Sequence, residues 1–415
     1  MKTPISCLSL ALFLLPASAF SQGSLTPPGP PAPTMHTLDQ LGTKTDQANA
    51  TLNQIDTKTD QASAKLDQID ARSERRTPIS SLPFTISSAG SYYLTNNLTA
   101  TANGGGITVS ANNVTIDLNG FALTGGGGGS AAGINVPAPI TGLSVRNGAV
   151  SGWTNGGISA DRVTGSSFEK LLLANNTGPP SAAGLNAGSG SHIQGCVAIK
   201  QASIGGIQTD AGCSVADSSA SFNGGPGFAL GGSNTIANCA SNENSGVGIA
   251  AERGTTVLHC SAKSNVGVGI AASFFCTLAD CAAVANDSGI TVDSGSVVRG
   301  NTASDNNNNG ISCTHGCHVV DNNCYANNHL VVATNAGIFI SGSTNRIEAN
   351  SCISNRNGLG ISVPTGKDNL IIKNSASGNT GGNYNMGSGN AFGPVINVSA
   401  GGPISDSNPW NNWIH

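Results

Sequence analysis

Apolar residues recur along this chain in two unlike rhythms. Between residues 37 and 70 the rhythm is heptad, carried by TLDQLGTKTDQANA, TLNQIDTKTDQASA and KLDQID. Leu38, Thr45, Leu52, Thr59 and Leu66 share one seam position; Leu41, Ala48, Ile55, Ala62 and Ile69 share the other. Such a seam predicts a short α-helical coiled coil over 37–72. Leu at a with Ile at d favours more than two strands, so a homo-oligomer, most simply a trimer, is expected through residues 38–69.

From Thr77 onward the rhythm is longer. A glycine followed by an apolar residue recurs at Ile107, Ile134, Ile158, Leu185, Ile207, Phe228, Ile249, Ile270, Ile290, Ile311, Ile338 and Ile361. Between Ile207 and Ile311 the steps are 21, 21, 21, 20 and 21 residues. A fixed period of this length marks a solenoid, and its apolar runs are too short for helices. Counting eight residues on from each origin gives Val215, Ile236, Val257, Leu278, Val298 and Val319. Sixteen on gives Asn223, Asn244, Asn265, Asn286, Asn306 and Asn327. Three short strands per coil, each stacked in parallel on the next at ~4.8 Å, satisfy both columns. Parallel connections of this kind coil right-handedly. The expected fold is all-β, a right-handed parallel β-helix of about 12 coils over 77–400, with a cap or tail at 401–415.

Four features carry a family resemblance: the opening PFTISSAGSYYLTNNLT, the segment VTIDLNGFAL, the Gly/apolar/Asn ladder, and the closing NPWNNW. Together they resemble the right-handed parallel β-helix, pectate-lyase-like superfamily. Within it, the chain is similar to exported bacterial repeat proteins of unassigned function. The resemblance implies the fold over about four fifths of the chain. It does not choose an activity, because the superfamily includes lyases, glycosidases, phage tailspikes, adhesins and proteins without known chemistry. Calcium is implied as a cofactor only for the lyases; otherwise no cofactor is expected.

The start of the chain bears on location. Lys2, the apolar run Leu8 to Leu15 and Ala17-Ser18-Ala19 form the pattern of a signal peptide over 1–19. A Pro-rich linker follows over 20–36. The run is too short for a permanent anchor and no later segment spans a membrane, so a secreted, periplasmic or cell-surface protein is expected. With 10% charged residues and a net charge of −4, the chain offers no basic face for nucleic acid. The 4% aromatic content and 56 glycines favour tight turns and closely stacked backbone.

Candidate chemistry competes with this repeat. GVGIAA at 246–251 and again at 267–272 fits a loose dinucleotide fingerprint, but no helix-length segment follows either copy. Cys196, Cys239, Cys260 and Cys281 fall in one inward column and read as packing. CTHGCH, Cys313 to His318, holds metal-ligand types without a zinc-site spacing. A local Cys313–Cys317 disulfide or packing thiols is favoured there, and no metal site is assigned. Asp117, in VTIDLNG, reads as a turn cap.

The tenth position reads outward as Asp217, Asn238, His259, Asp280, Gly300 and Asp321. His259 and Asp280 lie in neighbouring coils, where they can form an acid–base pair. Lys263 and Glu243 sit near the following turn. These four are the catalytic candidates, with Asp217 and Asp321 as ligand-binding candidates. Asp210, Glu252 and Asp293 form a second carboxylate column. No lyase or glycosidase motif is matched residue by residue. The expected function is a non-catalytic polysaccharide-binding or structural module displayed as an oligomer. The alternative is a lyase or glycoside hydrolase acting on an acidic polysaccharide.

Overall fold

The computed structural model describes residues 37–72, 76–330 and 334–415. The signal-peptide and Pro-rich expectations lie outside the described residues. The chain divides into two units, 1–74 and 75–415.

The first unit contains one α-helix, Leu38–Arg72. Thr37 opens it with a capping box: the Gln40 N–H donates to Thr37 Oγ1 at 3.3 Å, and Thr37 N–H to Gln40 Oε1 at 3.1 Å. The helix therefore falls where the heptads place it. Leu38, Leu41, Leu52, Ile55 and Leu66 on its seam are all exposed. Thr45 and Thr59, also on the seam, turn their hydroxyls back to the carbonyls of Leu41 and Ile55. Coiled-coil pairing itself is not confirmed by this single chain.

The second unit is the expected parallel β-helix. The first strands of successive coils build a 14-stranded parallel sheet running from Phe84–Ile86 to Gly382–Met386. Ile249, Ile270, Ile290 and Ile311 are in direct register within it. The twelve Gly-apolar steps account for twelve of these strands. The coil count is corrected from 12 to 14 by the two end strands, which enter through Pro83-Phe84 and Asn383-Tyr384 in place of the Gly-apolar pair. Interior glycines of the ladder clear a carbonyl of the following coil, as Gly248 clears Gly269, and the last coil has no follower of this sheet to clear. Second and third strands, such as Thr256–Leu258 and Ser261–Lys263, stack likewise in one 28-stranded sheet.

Each regular coil turns at three corners, and every corner contains one residue in the left-handed region. In the coil beginning at Ile249 these are Gly254, His259 and Ser264, with φ of 73°, 51° and 55°. The residue after each corner points inward: Thr255, Cys260 and Asn265 are all buried. Inward polar groups in a dry interior must be satisfied. They are satisfied by one another across coils, as along the Asn223–Asn244–Asn265–Asn286–Asn306–Asn327–Asn355–Asn379 ladder. The apolar columns between the ladders, Val215 to Val319 and the Ile origins, are buried as expected.

Two terminal details complete the stack. Asp117 accepts the Asn119 N–H at 2.9 Å and pairs with Arg146 at 3.2 Å and Arg76 at 3.4 Å, so its capping role holds. Near the other end, Asn412–Ile414 pairs on one side with Ser375–Ser377 and on the other with Val395–Asn397. This strand lies within the expected tail of 401–415, yet Asn412 supplies a ladder rung to Asn374 at 3.1 Å.

Candidate functional site

The outer face of the 14-stranded sheet holds the main concavity. A three-residue strand whose ends point inward turns only its middle residue outward. Those middle residues are Gln208, Ala229, Ala250, Ala271 and Thr291, in register from coil to coil. Three consecutive alanines leave a shallow floor, and the groove over them encloses about 480 Å³. Along one edge run Asp210, Gly231, Glu252, Ser273 and Asp293. A second hollow of about 390 Å³ shares Gln208 and Asp210 and extends past Asn186 to Ser159 and Asp161. The two cover seven successive first strands, from Ile158–Ala160 to Ile290–Val292. Six inter-strand steps make this a track of about 29 Å.

Carboxylates line the edge at every second coil: Asp161, Asp210, Glu252 and Asp293, with Gly188, Gly231 and Ser273 between them. Their spacing is therefore ~9.6 Å. Partial desolvation, reinforced by repulsion from Asp161, holds the Asp210 carboxyl above its ordinary value. Beside Glu252, the Arg253 guanidinium lies 5.0 Å from the ring centre of Phe275, which stands 6.5 Å from the ring of Phe274. Both phenylalanines are exposed. Phe275 also occupies a left-handed corner, φ 58°, in a column otherwise rich in glycine.

The residues singled out from sequence lie elsewhere on the coil. Asp217, His259, Asp280 and Asp321 are second-corner residues with φ of 51°, 51°, 56° and 56°. Glu243 is a third-corner residue with φ 54°. Asp and Asn tolerate this conformation better than most side chains, which accounts for much of that column. The structure does bring His259 and Asp280 together, Nε2 to Oδ2 at 3.8 Å, both well exposed. Asp217 accepts from Gln194 at 3.4 Å and from Asn238 at 3.3 Å. Lys263 is exposed on the strand that precedes the third corner. No described cavity forms around these residues.

Sequence reasoning found the carboxylate column at Asp210, Glu252 and Asp293 but missed Asp161 and the alanine floor. The signal was present in the alternation of Gly-Ile-Ala-Ala, whose first alanine must face outward.

All ten described cysteines are buried with free thiols. Cys213, Cys276 and Cys317 follow first corners, and Cys239, Cys260 and Cys281 follow second corners, where Asn, Ser or Thr stands in other coils. Their thiols donate to main-chain carbonyls as the Asn amides do, Cys260 to Leu258 at 3.1 Å and Cys317 to Asp293 at 3.2 Å. Hydrogen bonding from Cys313 draws the Cys317 thiol down to about 7. Among the described residues no three His, Cys, Asp or Glu side chains converge as a metal site.

One family profile, described as periplasmic copper-binding protein (NosD), matches residues 229–412, somewhat under half of the chain. Among the described residues Cys313 and Cys317 have no third converging His, Cys, Asp or Glu beside them. No curated protein sequence matches. Among solved structures, the A-module of an Azotobacter vinelandii mannuronan C-5 epimerase is similar, with a TM-score of 0.47 and 10% identity over 77% of this chain and 90% of that one. A periplasmic alginate epimerase matches with a TM-score of 0.41 and 14% identity, over 69% and 78% of the two chains. The Dettilon tailspike protein matches with a TM-score of 0.39 and 14% identity, over 82% and 61%. Among the described residues no helix is long and apolar enough to cross a membrane.

Proposed function

We propose that this chain is an exported polysaccharide-binding module whose ligand lies along the groove of the 14-stranded sheet. The observation that carries the reading is the continuity of the two hollows through Gln208 and Asp210. A track of about 29 Å across seven coils suits an extended polymer better than a compact metabolite. Its small-residue floor admits a flat chain, and its polar edge supplies hydrogen-bond acceptors to hydroxyls. Four carboxylates along one edge disfavour a polyuronate, so a neutral or amino-sugar polymer is the expected ligand. Export accords with the signal-peptide pattern and with the periplasmic description of the matching family.

Oligomeric display is part of the same proposal. Joining the seams of Leu38–Arg72 in a trimer gives one assembly several grooves, and avidity then compensates for weak single sites. Sedimentation of the full chain tests this: a monomer at micromolar concentration overturns it, as does an assembly that persists in Leu52→Asp/Ile55→Asp.

A second reading, hydrolysis, is favoured by one observation. Partial burial and the neighbouring Asp161 raise the Asp210 carboxyl above its ordinary value, the direction a general acid needs. The His259/Asp280 pair, with Lys263 and Glu243, is the rival location for such chemistry, and for a lyase. Affinity electrophoresis against neutral, amino-sugar and uronate polysaccharides, with product analysis on the same samples, separates the readings. Retardation without products supports the module. Products abolished by Asp210→Asn support hydrolysis in the groove, and products abolished by His259→Ala place it at the second corner. No retardation and no products across the panel overturn the polysaccharide reading.

A further inference from the structure

A second concavity lies on the other sheet, near the strand Asn412–Ile414. Its floor is the outer face of two paired strands, with Leu370 opposite Ala391 and Ile372 beside them. Trp410, Phe392, Pro394 and Arg346 complete its lining, and it encloses about 400 Å³. That volume accommodates one or two sugar rings.

Its aromatic residues are conspicuously placed. Of the three tryptophans, Trp153 is buried in the core with its Nε1–H on the Leu123 carbonyl. Trp410 instead is 50% exposed, and Phe392 is 51% exposed. Exposure here does not mean looseness. The Trp410 N–H donates to Asn408 Oδ1 at 3.0 Å, and the Asn408 N–H donates to Asp406 Oδ1 at 2.9 Å. Lys373 holds its ammonium 5.1 Å from the indole centre. An anchored, solvent-facing indole is a stacking surface awaiting an apolar face.

Charge narrows the occupant. Arg346 contacts Glu348 at 2.6 Å, and Lys373 contacts the other oxygen of Glu348 at 2.9 Å. Arg346 is the one charged residue of this lining, so the wall itself is cationic, the opposite of the groove edge. In the neighbouring strand His318 pairs in register with Arg346, and its Nε2 has no hydrogen-bond partner among the described residues.

We infer that this pocket is a second saccharide site, taking a pyranose that carries a carboxylate. The ring's apolar face stacks on Trp410, and the carboxylate meets Arg346. The site is independent of the groove, which differs from it in sheet, charge and lining.

Titration of the full chain with trigalacturonate, followed by tryptophan fluorescence and calorimetry, tests the assignment, with maltotriose as the neutral counterpart. Saturable binding of the acidic trisaccharide is expected, about tenfold weaker in Trp410→Ala and in Arg346→Met. The same affinity is expected in Ala250→Trp, which fills the groove floor. Arg346→Met lies on a strand outside the Trp410 loop and keeps the test decisive should Trp410→Ala unsettle that loop. Absence of saturable binding, equal binding of maltotriose, or undiminished affinity in the pocket variants overturns the inference. Loss of binding in Ala250→Trp alone also overturns it, by assigning the acidic sugar to the groove.

Discussion

The side-chain oxygen of Asn265 accepts two hydrogen bonds from Asn244 in the preceding coil, from its N–H at 3.0 Å and from its Nδ2 at 2.9 Å. Asn265 in turn donates Nδ2 to Asn286 and to the Ser241 carbonyl. One amide thus satisfies a turn N–H of the preceding coil, while its own donors go one forward to Asn286 and one back to Ser241. The relation repeats along the corner, which explains why a fully buried polar column is compatible with a stable interior.

Asn265→Ala orphans the Asn244 N–H in a site closed to water, while Asn244 Nδ2 keeps the Ala220 carbonyl and Ser241 Oγ. A loss of about 1–3 kcal/mol is expected, the cost of one unsatisfied buried donor. Urea unfolding of the full chain measures it. A change below about 0.5 kcal/mol would show that the rung is dispensable.

The thiols behave as ladder rungs in this account, not as reactive groups. Hydrogen bonding with Cys239 and burial push Cys260 up to about 12, whereas Cys317 titrates near 7. Native protein should resist alkylation by a neutral maleimide at all ten described cysteines, with Cys317 the first to react as pH rises. Denaturant should release the whole set together. Rapid native labelling of Cys260 contradicts this picture.

Ala271→Trp sets a bulky side chain on the groove floor at an outward position of the first-strand sheet. Retention of a bound polysaccharide should fall by about tenfold or more, while thermal stability stays near that of the parent. Unaltered retention would remove the groove from the binding reaction.

The Trp410 loop should respond to acid. Hydrogen bonding from Lys373, with Arg346 beside it, holds the Glu348 carboxyl below its ordinary 4.5 despite some desolvation. A lowered folded-state value means that the contribution is complete above 4.5 and is lost as pH falls through the lowered value. Hydrogen exchange around Trp410 should therefore accelerate on acidification below that range. Glu348→Gln should exchange faster at neutral pH and lose most of the acid dependence. Identical profiles in the two proteins would separate the ion network from the loop.

Much of the fold was legible because a coil cannot vary freely. Each must present apolar side chains at the register of its neighbour, so Ile249, Ile270 and Ile290 repeat and the period shows in the text of the sequence. The two end coils escaped the count because Phe84 and Tyr384 arrive without the preceding glycine. Cys196, Cys239, Cys260 and Cys281 were read correctly as inward, yet the first-corner column that sets Cys213, Cys276 and Cys317 with Asn234 and Thr255 emerged only with the backbone. His259 and Asp280 stood out because they break the repeat. Their left-handed corner conformation supplies a structural reason for the aspartate and asparagine in that column.

Sequence by itself determined the helix over the heptads, the stacked parallel coils and the Asn ladder, since these are local periodicities enforced coil against coil. Tertiary structure alone decided where space remains. A groove depends on what is missing from the outer face, and Ala229, Ala250 and Ala271 mean nothing until stacking sets them side by side. The pocket at Trp410 likewise depends on a strand from the end of the sequence pairing beside Ser375–Ser377, a long-range contact that no period encodes.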